Sequence, residues 1–162
     1  MRYFFIILLS ACTLSFQAQP KISFSFDDGS TGDRPGYTLE EWNELLLKSL
    51  REAEVQAIFF ATGKNLQWAK GKYLLNSWDQ AGHSIANHTW THPNFNNPEL
   101  SAAQFKSELL ATDSLIRNYE HYLKLFRFPY LKEGSSPTQV DHYRKTLTEN
   151  GCLLYTSDAA DD

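Results

Sequence analysis

Three short segments carry side chains that could do chemistry together: the adjacent carboxylates Asp27 and Asp28, the histidines His88 and His92, and Arg127. Histidines at positions i and i+4 lie on one face of a helical turn, which suits two imidazoles on one metal ion. An arginine that leaves a strand end beside acidic residues can pair with a carboxylate and hold it ionised. Each segment alone also has a structural interpretation, as a turn, as exposed or capping histidines, or as a surface salt bridge.

The paired carboxylates do not predict a glycosidase. Neighbouring residues on a strand point to opposite faces. The two carboxylates therefore cannot flank one glycosidic bond at the separation of about 5–9 Å that such enzymes need. We expect Asp27 to point inward with Ser23 and Ser25, while Asp28 begins the following loop. The two aspartates should then have different roles.

The segments follow short predicted strands. Residues 21–26 alternate between apolar and small polar side chains, which is the period of a strand. Short apolar runs predict three further strands, at residues 57–60, 84–86 and 125–128. Helix starts are indicated by Thr38 with Glu41, by Ser101 with Gln104 and by Ser136 before Pro137, and a weaker helix is expected over residues 66–81.

Strands that alternate with helices predict parallel βα units in a single domain. Such folds place active-site groups at the carboxyl ends of the strands, where all three chemical segments lie. A sheet that stops after about four units has an unpaired edge rather than a closed barrel.

The composition fits one globular domain. The chain has 162 residues, of which 42% are hydrophobic and 14% aromatic, and its formal net charge is −4. A disordered chain has fewer aromatic residues and more charge. The mild acidity argues against nucleic acid as a partner, because nucleic-acid binders carry a basic face.

The amino-terminal segment predicts export. Arg2, an apolar run over residues 4–9 and the small residues after it are typical of a secretory signal peptide; a buried first strand is the alternative. Cleavage is expected near Ala18, with residues 1–18 as the leader, or before Cys12, because residues 9–12 resemble a bacterial lipobox. The protein would then be periplasmic, secreted or lipid-anchored, with any membrane contact made through a lipid on Cys12.

The carboxyl-terminal segment, residues 152–162, resembles the translation of a transposon-based sequencing adapter, and a natural acidic tail is the alternative. We therefore expect the segment from Cys152 onward to be foreign to the protein and to lie outside the folded body. We also expect the native gene to continue beyond Gly151. Two cysteines, one in each end segment, are too few for a disulfide framework.

Three motifs resemble those of the NodB-homology polysaccharide deacetylases, which form carbohydrate esterase family 4. They are Ser-Phe-Asp-Asp-Gly at residues 25–29, Gly-His-Ser-Ile-Ala-Asn-His-Thr-Trp-Thr-His-Pro at 82–93 and Arg-Phe-Pro-Tyr at 127–130. The resemblance implies an α/β fold, a distorted (β/α) barrel that is incomplete here, with the deacetylase domain over residues 19–151. It also implies removal of acetyl groups from N-acetylated, sometimes O-acetylated, glycans with a divalent metal.

The resemblance also implies the metal ligands and the metal. Asp28, His88 and His92 match the ligand positions of the family. One carboxylate and two imidazoles leave coordination positions open for water and substrate, as a catalytic site requires. Zn²⁺ is the expected ion, with Co²⁺ or Ni²⁺ as alternatives.

The remaining family positions imply three further roles. Asp27 matches the general base, Arg127 the residue that orients the base, and Tyr130 the position whose backbone N–H helps to hold the oxyanion. The implied reaction is attack by an activated water on an acetamide carbonyl.

Two departures from the family pattern stand out. Phe128 occupies a position that is usually a second proline, a change that bears on substrate preference. The later family elements, which include the histidine that acts as general acid, are missing, and no histidine follows His142. We therefore expect the chain as written to be inactive and poorly folded. We interpret His83 as structural or supporting the site, and expect His121 and His142 on helix surfaces without a role.

The sequence thus predicts a monomeric, metal-dependent hydrolase that deacetylates N-acetylglucosamine-containing polysaccharide of the peptidoglycan or chitin type. It would act on carbon–nitrogen but not peptide bonds. A non-catalytic domain that binds metal or glycan, and an esterase acting on O-acetyl groups, are the alternatives.

Overall fold

A computed structural model describes residues 23–156 of the chain. It contains five strands and five helices, with two consecutive helices between the second and third strands and a short 3₁₀ turn at Pro129–Leu131. Their bounds are β1 Phe24–Asp28, α1 Leu39–Glu52, β2 Ala57–Ala61, α2 Gly63–Leu66, α3 Ala69–Gln80, β3 Ser84–Asn87, α4 Ala102–Ile116, β4 Tyr122–Phe126, α5 Pro137–Glu149 and β5 Leu153–Leu154.

The strands form one sheet in the order β1-β2-β3-β4-β5, and every neighbouring pair is parallel. This arrangement confirms the α/β class and fits an incomplete barrel. Asp28 lies opposite Ala61, which in turn lies opposite Asn87. The carboxyl ends of the first three strands are therefore level, which brings the loops after β1 and β3 to the same edge.

The predicted helix starts are confirmed. The hydroxyls of Thr38, Ser101 and Ser136 each accept a hydrogen bond from the backbone N–H three residues on, and reciprocal capping boxes form at the first two. These caps satisfy N–H groups that have no partner inside the helix.

Two apolar clusters hold the helices against the sheet. One joins residues of α1 and α3 with β1, β2 and β3; its largest side chains include Phe59, Leu75, Trp78 and Ile85. The other lies beneath α4 and α5 and consists mainly of aromatic side chains, namely Phe95, Phe105, Phe126, Phe128 and Tyr143 with Leu109, Leu147 and Cys152. The position of each helix relative to the strand ends thus depends on burial of its apolar face.

Some predicted boundaries were wrong. Two helices replace the one expected over residues 66–81, since α2 ends at Leu66 and α3 begins at Ala69. The chain turns so sharply between them that a Cβ at Gly71 would lie 2.5 Å from the Leu66 carbonyl carbon, a close approach that glycine permits. The fourth strand begins at Tyr122 and ends at Phe126, so that Arg127 and Phe128 follow it.

The expectation that Cys152 lies outside the folded body is wrong. Its side chain is only 7% exposed, and Leu153 and Leu154 form β5 beside β4. The backbone N–H of Tyr155 also donates to the carbonyl of Phe126 at 2.8 Å. Residues 152–156 therefore extend the sheet, whatever the origin of their sequence.

The expected leader, residues 1–18, lies outside the described residues. Within residues 23–156, none of the helices combines the length and the apolar character that crossing a bilayer requires.

Candidate metal centre and catalytic site

Asp28, His88 and His92 converge at the carboxyl edge of the sheet. One ligand atom from each of the three lies within 4.8 Å of the others. The Oδ1 of Asp28 is 3.0 Å from the Nε2 of His92 and 3.5 Å from the Nε2 of His88. One carboxylate oxygen and two imidazole nitrogens thus face one point, as the donor set of a catalytic metal centre does.

His88 is oriented with its Nε2 available. Its side chain is 2% exposed, and its Nδ1 lies 2.8 Å from the backbone carbonyl oxygen of Arg127. A carbonyl only accepts hydrogen bonds, so Nδ1 carries the hydrogen and Nε2 keeps its lone pair. Burial lowers the pKa of His88, against the opposing attraction of Asp27, and the neutral form that can ligate a metal is favoured.

Asp28 does not point away from Asp27, contrary to the expectation for neighbours on a strand. The backbone of Asp28 has a φ of 75°, in the left-handed region, where the alternation of side chains ends. Asp27 Oδ2 lies 4.0 Å and Asp28 Oδ1 3.5 Å from His88 Nε2. Both carboxylates therefore reach the same site from adjacent positions.

The two histidines are not on a helical turn, which corrects the prediction from their spacing. His88 follows β3, and the chain to His92 is a loop in which Thr89 has a φ of 72° and His92 a φ of 59°. The N–H of His92 donates to Thr89 Oγ1 at 3.1 Å, which closes the loop. The Nε2 atoms converge through this folded-back loop rather than through helical periodicity.

Asp27 pairs with Arg127 as expected. Arg127 Nη1 donates to Asp27 Oδ1 at 2.8 Å, and the arginine side chain is 10% exposed. This charge-assisted hydrogen bond leaves Oδ2 as the Asp27 oxygen nearer to His88. The two aspartates therefore have different partners: Asp27 contacts Arg127, and Asp28 contacts His92.

The guanidinium of Arg127 lies beside two aromatic rings that are in contact with each other. Its central carbon lies 4.5 Å from the ring centre of Phe60 and 4.7 Å from that of Tyr155. The centres of the two rings are 5.3 Å apart, so both rings attract the cation and limit its movement beside Asp27. Within residues 23–156, its Nε is buried and has no hydrogen-bond acceptor.

Tyr130 borders the site from the turn after β4. Its side chain is exposed, its φ is 56°, and its ring packs edge-on against the ring of His92 with centres 4.6 Å apart. Phe128, in contrast, is 2% exposed and packs against Phe105 and Phe126. Phe128, which departs from the family pattern, is therefore a core residue and does not line the site.

The other described histidines lie elsewhere. His83 is buried, and its Nδ1 accepts from the N–H of Ala57 at 3.3 Å, a structural role. His121 lies in a turn rather than on a helix and contacts Asp79 at 3.1 Å. His142 is exposed on α5, as expected. None of these three belongs to the cluster that could hold a metal.

Sequence reasoning missed two residues that hold the histidine loop. The buried Asn87 accepts from the Thr89 N–H at 2.9 Å and donates to the Leu109 carbonyl at 2.8 Å. Glu108, on α4, accepts hydrogen bonds from the N–H groups of Trp90 and Thr91. Asn87 stands inside the second motif and could have been found there, whereas nothing in the sequence links Glu108 to the loop.

The residues present fit a divalent metal. The donor set is the one that zinc takes in hydrolytic sites, and the Nδ1 hydrogen bond of His88 is the outer contact that orients a ligating imidazole. Asp28, at 55% side-chain exposure, also leaves the cluster open to solvent, as water and substrate would require.

Known proteins resemble the chain in sequence and in fold. A peptidoglycan-N-acetylglucosamine deacetylase of Bacillus cereus is 26% identical over 111 residues, which are 68% of this chain and 36% of that protein. A family 4 carbohydrate esterase from Streptomyces lividans superposes with a TM-score of 0.66 at 26% identity, covering 88% of this chain and 65% of that structure. A chitin deacetylase from Colletotrichum lindemuthianum shares the fold, with a TM-score of 0.63 at 24% identity over 83% of this chain and 54% of its own.

The chain thus spans about a third of the length of the curated relative and less than two thirds of each of these structures. The sequence profile of the polysaccharide deacetylases matches residues 17–147, a range that contains every residue of the candidate site. The chain belongs to the polysaccharide deacetylase family.

Proposed function

We propose that the protein is a divalent-metal-dependent deacetylase of N-acetylglucosamine-containing polysaccharide, of the peptidoglycan or chitin type. One observation carries the proposal: a cluster of one carboxylate and two imidazoles lies beside a second carboxylate that is held by a buried arginine. A ligand set next to a separate proton acceptor is what metal-assisted hydrolysis needs.

Asp28, His88 and His92 would hold the ion, with Zn²⁺ proposed and Co²⁺ or Ni²⁺ as substitutes. When bound, the ion would supply Lewis-acid chemistry: a lowered pKa for a coordinated water and a polarised acetyl carbonyl. Two contacts would keep the three donors in place. They are the hydrogen bond from the Nδ1 of His88 to the Arg127 carbonyl and the contact of Asp28 with both imidazoles.

Asp27 would act as the general base. Its Oδ1 is bound by Arg127, so that Oδ2 would take a proton from the attacking water. The oxygen of that water would bond to the acetyl carbon, and the carbon–nitrogen bond would break as the nitrogen takes up a proton, supplied by the protonated Asp27 or by solvent. The products would be acetate and the amine of the sugar. The backbone N–H of Tyr130, beside His92, would donate to the oxyanion that forms during attack.

Acetate release by the full-length gene product, loaded with Zn²⁺, tests this function on N-acetylated and O-acetylated polymers in parallel. We expect release from the N-acetylated polymer. Preference for the O-acetylated polymer would instead support an esterase acting through the same residues. Metal binding without release from either polymer would favour a non-catalytic binding domain.

The Asp27→Asn variant tests the assigned base. We expect acetate release to fall by about 10²–10⁴-fold, the usual contribution of general base catalysis, with Zn²⁺ binding retained. Asp141→Asn, on the exposed face of α5, is the matched control and should leave release unchanged. Unchanged activity of Asp27→Asn would contradict the assignment.

We also propose that the protein is exported, on the evidence of the signal-like pattern in residues 1–18. Fractionation of cells that express the native gene, with mass determination of the mature amino terminus, would distinguish cleavage near Ala18 from lipidation at Cys12. Full-length protein in the cytoplasm would contradict export.

A further inference from the structure

Glu108 lies on α4, outside the motifs that resemble the family, yet its carboxylate binds the loop between the two histidines. Its Oε2 accepts from the backbone N–H of Trp90 at 2.9 Å and from that of Thr91 at 2.6 Å. Its Oε1 accepts from the Thr91 hydroxyl at 2.8 Å. The carboxylate thus holds the middle of the loop without touching either imidazole in these contacts.

The loop requires such external support because its backbone is strained. Thr89 and His92 both have positive φ values, and for a β-branched residue such as Thr89 this conformation is a clear outlier. Strained backbone persists only where the surrounding contacts determine it.

The hydrogen bonds to the loop come from two helices. Helix α2 supplies donors, because the N–H groups of Gly63 and Lys64 bind the carbonyls of Thr89 and Trp90 at 3.0 and 2.9 Å. Glu108 supplies the acceptors for the N–H groups of Trp90 and Thr91. The segment between the histidines is therefore held by both α2 and α4.

A carboxylate suits this position better than any neutral side chain. An ionised carboxylate only accepts hydrogen bonds, and its two oxygens here meet three donors. A glutamine of the same size would keep one acceptor oxygen but turn its NH₂ group toward an N–H or O–H donor. Glu108→Gln is therefore a near-isosteric test of the contact.

We propose that Glu108 is a positioning residue, which sets the separation of the two imidazoles by fixing the loop that joins them. The inference rests on the proposed metal site, since it gives Glu108 its effect on metal affinity. Residues of this kind, one contact removed from the ligands, typically change metal affinity by about 10–100-fold when they are replaced.

The test compares the full chain with its Glu108→Gln variant in two measurements. Hydrogen exchange of the Trp90 and Thr91 amides in metal-free protein reports whether the loop is held. Titration with Co²⁺, followed through its visible absorption, reports affinity and ligand geometry. Glu120→Gln, an exposed carboxylate with the same charge change, is the matched control.

We expect faster exchange at the two amides, a Co²⁺ affinity reduced by about tenfold or more and an altered absorption band in Glu108→Gln but not in Glu120→Gln. Unchanged exchange of the Trp90 and Thr91 amides in Glu108→Gln would overturn the inference, whatever the result of the Co²⁺ titration. Unchanged Co²⁺ affinity and spectrum with faster exchange would also overturn it, because the loop would then not set the ligand geometry.

Failure of the unaltered chain to bind Co²⁺ would overturn the proposed metal centre and, with it, the role of Glu108 in metal binding. The exchange data would still show whether Glu108 holds the loop, so the two failures can be told apart. Should Glu108→Gln not fold, Thr91→Val decides, because it removes only the hydroxyl contact. A Co²⁺ affinity weakened about threefold or more would support the inference, and an unchanged affinity would overturn it.

Discussion

The Nδ1 of His88 donates a hydrogen bond to the backbone carbonyl of Arg127 at 2.8 Å, while the side chain of the same arginine binds Asp27. One residue therefore orients both a candidate metal ligand and the candidate base. The N–H of Arg127 also donates to the carbonyl of Asn87, the residue before His88, at 3.1 Å. A shift of Arg127 would therefore move both His88 and Asp27. In this way the motif at residues 127–130 is coupled to the motif at residues 82–93.

Metal should stabilise the fold, because the three donor atoms come from two segments that are brought together only in the folded chain, the end of β1 and the loop after β3. Binding at a free concentration of about 100 times Kd adds about 2.7 kcal/mol to the free energy of unfolding. For a domain of this size we expect Tm to rise by about 5–10 °C on addition of Zn²⁺ or Co²⁺. Differential scanning calorimetry with and without a chelator measures the shift.

His92→Gln should abolish that shift, since it removes one of the three donors. His142→Gln on the exposed face of α5 is the matched control and should keep it. A shift of equal size in both variants would mean that the ion binds elsewhere.

Gly63→Ala should destabilise the protein and disturb the histidine loop. A Cβ at Gly63 would lie 2.7 Å from Thr112 Oγ1 and would also overlap the ring of Trp90. We expect a loss of about 1–3 kcal/mol in urea unfolding, as is usual for overpacking, and weaker Co²⁺ binding through displacement of Trp90. Gly32→Ala is the control, because no atom lies within 4 Å of its added Cβ. Equal stability of the two variants would contradict the expectation.

Much of the fold was predictable from short-range patterns. The capping residues Thr38, Ser101 and Ser136 begin helices where the sequence indicates, because the caps depend on contacts within four residues. The candidate site could likewise be located, since parallel strands bring their carboxyl ends to one edge.

The local geometry of the site could not be predicted from spacing. Asp28 turns toward the site through a positive φ, and His88 and His92 meet through a strained loop rather than a helical turn. The loop conformation depends on tertiary contacts such as those of Glu108, which lies 16 positions after His92 in sequence. The packing of Cys152 similarly depends on β4 and α5 and not on its own neighbours in the chain.

His83 should make the fold sensitive to acid. Burial lowers its pKa below the ordinary value, and its Nδ1 must stay unprotonated to accept from Ala57. The unfolded chain therefore binds this proton more readily, so the contribution of His83 to stability is complete above a pH of about 6.5 and is lost progressively as the pH falls toward the lowered pKa of the folded state.

The free energy of unfolding, measured in urea with chelator at pH 7.5 and at pH 5, tests this effect. His83→Gln keeps an acceptor oxygen without the titration, and we expect a smaller loss between the two pH values than in the unaltered chain. The loss in exposed His142→Gln should equal that of the unaltered chain. An equal loss in His83→Gln would show that protonation elsewhere governs acid sensitivity.

Cys152 provides the sharpest test of whether residues 152–156 belong to the fold. Its thiol is buried in the aromatic cluster with Phe126 and Leu147, and burial raises its pKa to about 12. Because the thiolate is the reactive form, labelling by iodoacetamide at pH 8 should be slow in the native protein and fast in urea. Peptide-level mass spectrometry measures Cys152 separately from Cys12.

An exposed thiol introduced by Ser107→Cys on α4 serves as the internal reference and should label at similar rates in both conditions. Protection of Cys152 relative to that reference requires β5 to remain on β4, since the N–H of Cys152 and that of Tyr155 bind Leu147 and Phe126 in the same arrangement. Labelling of Cys152 as fast as the reference would instead show that the segment is detached from the sheet and that Tyr155 does not stay beside Arg127. Of the two rings, the guanidinium would then keep only Phe60 as a neighbour, so thiol protection also reports how firmly the arginine that binds Asp27 is held.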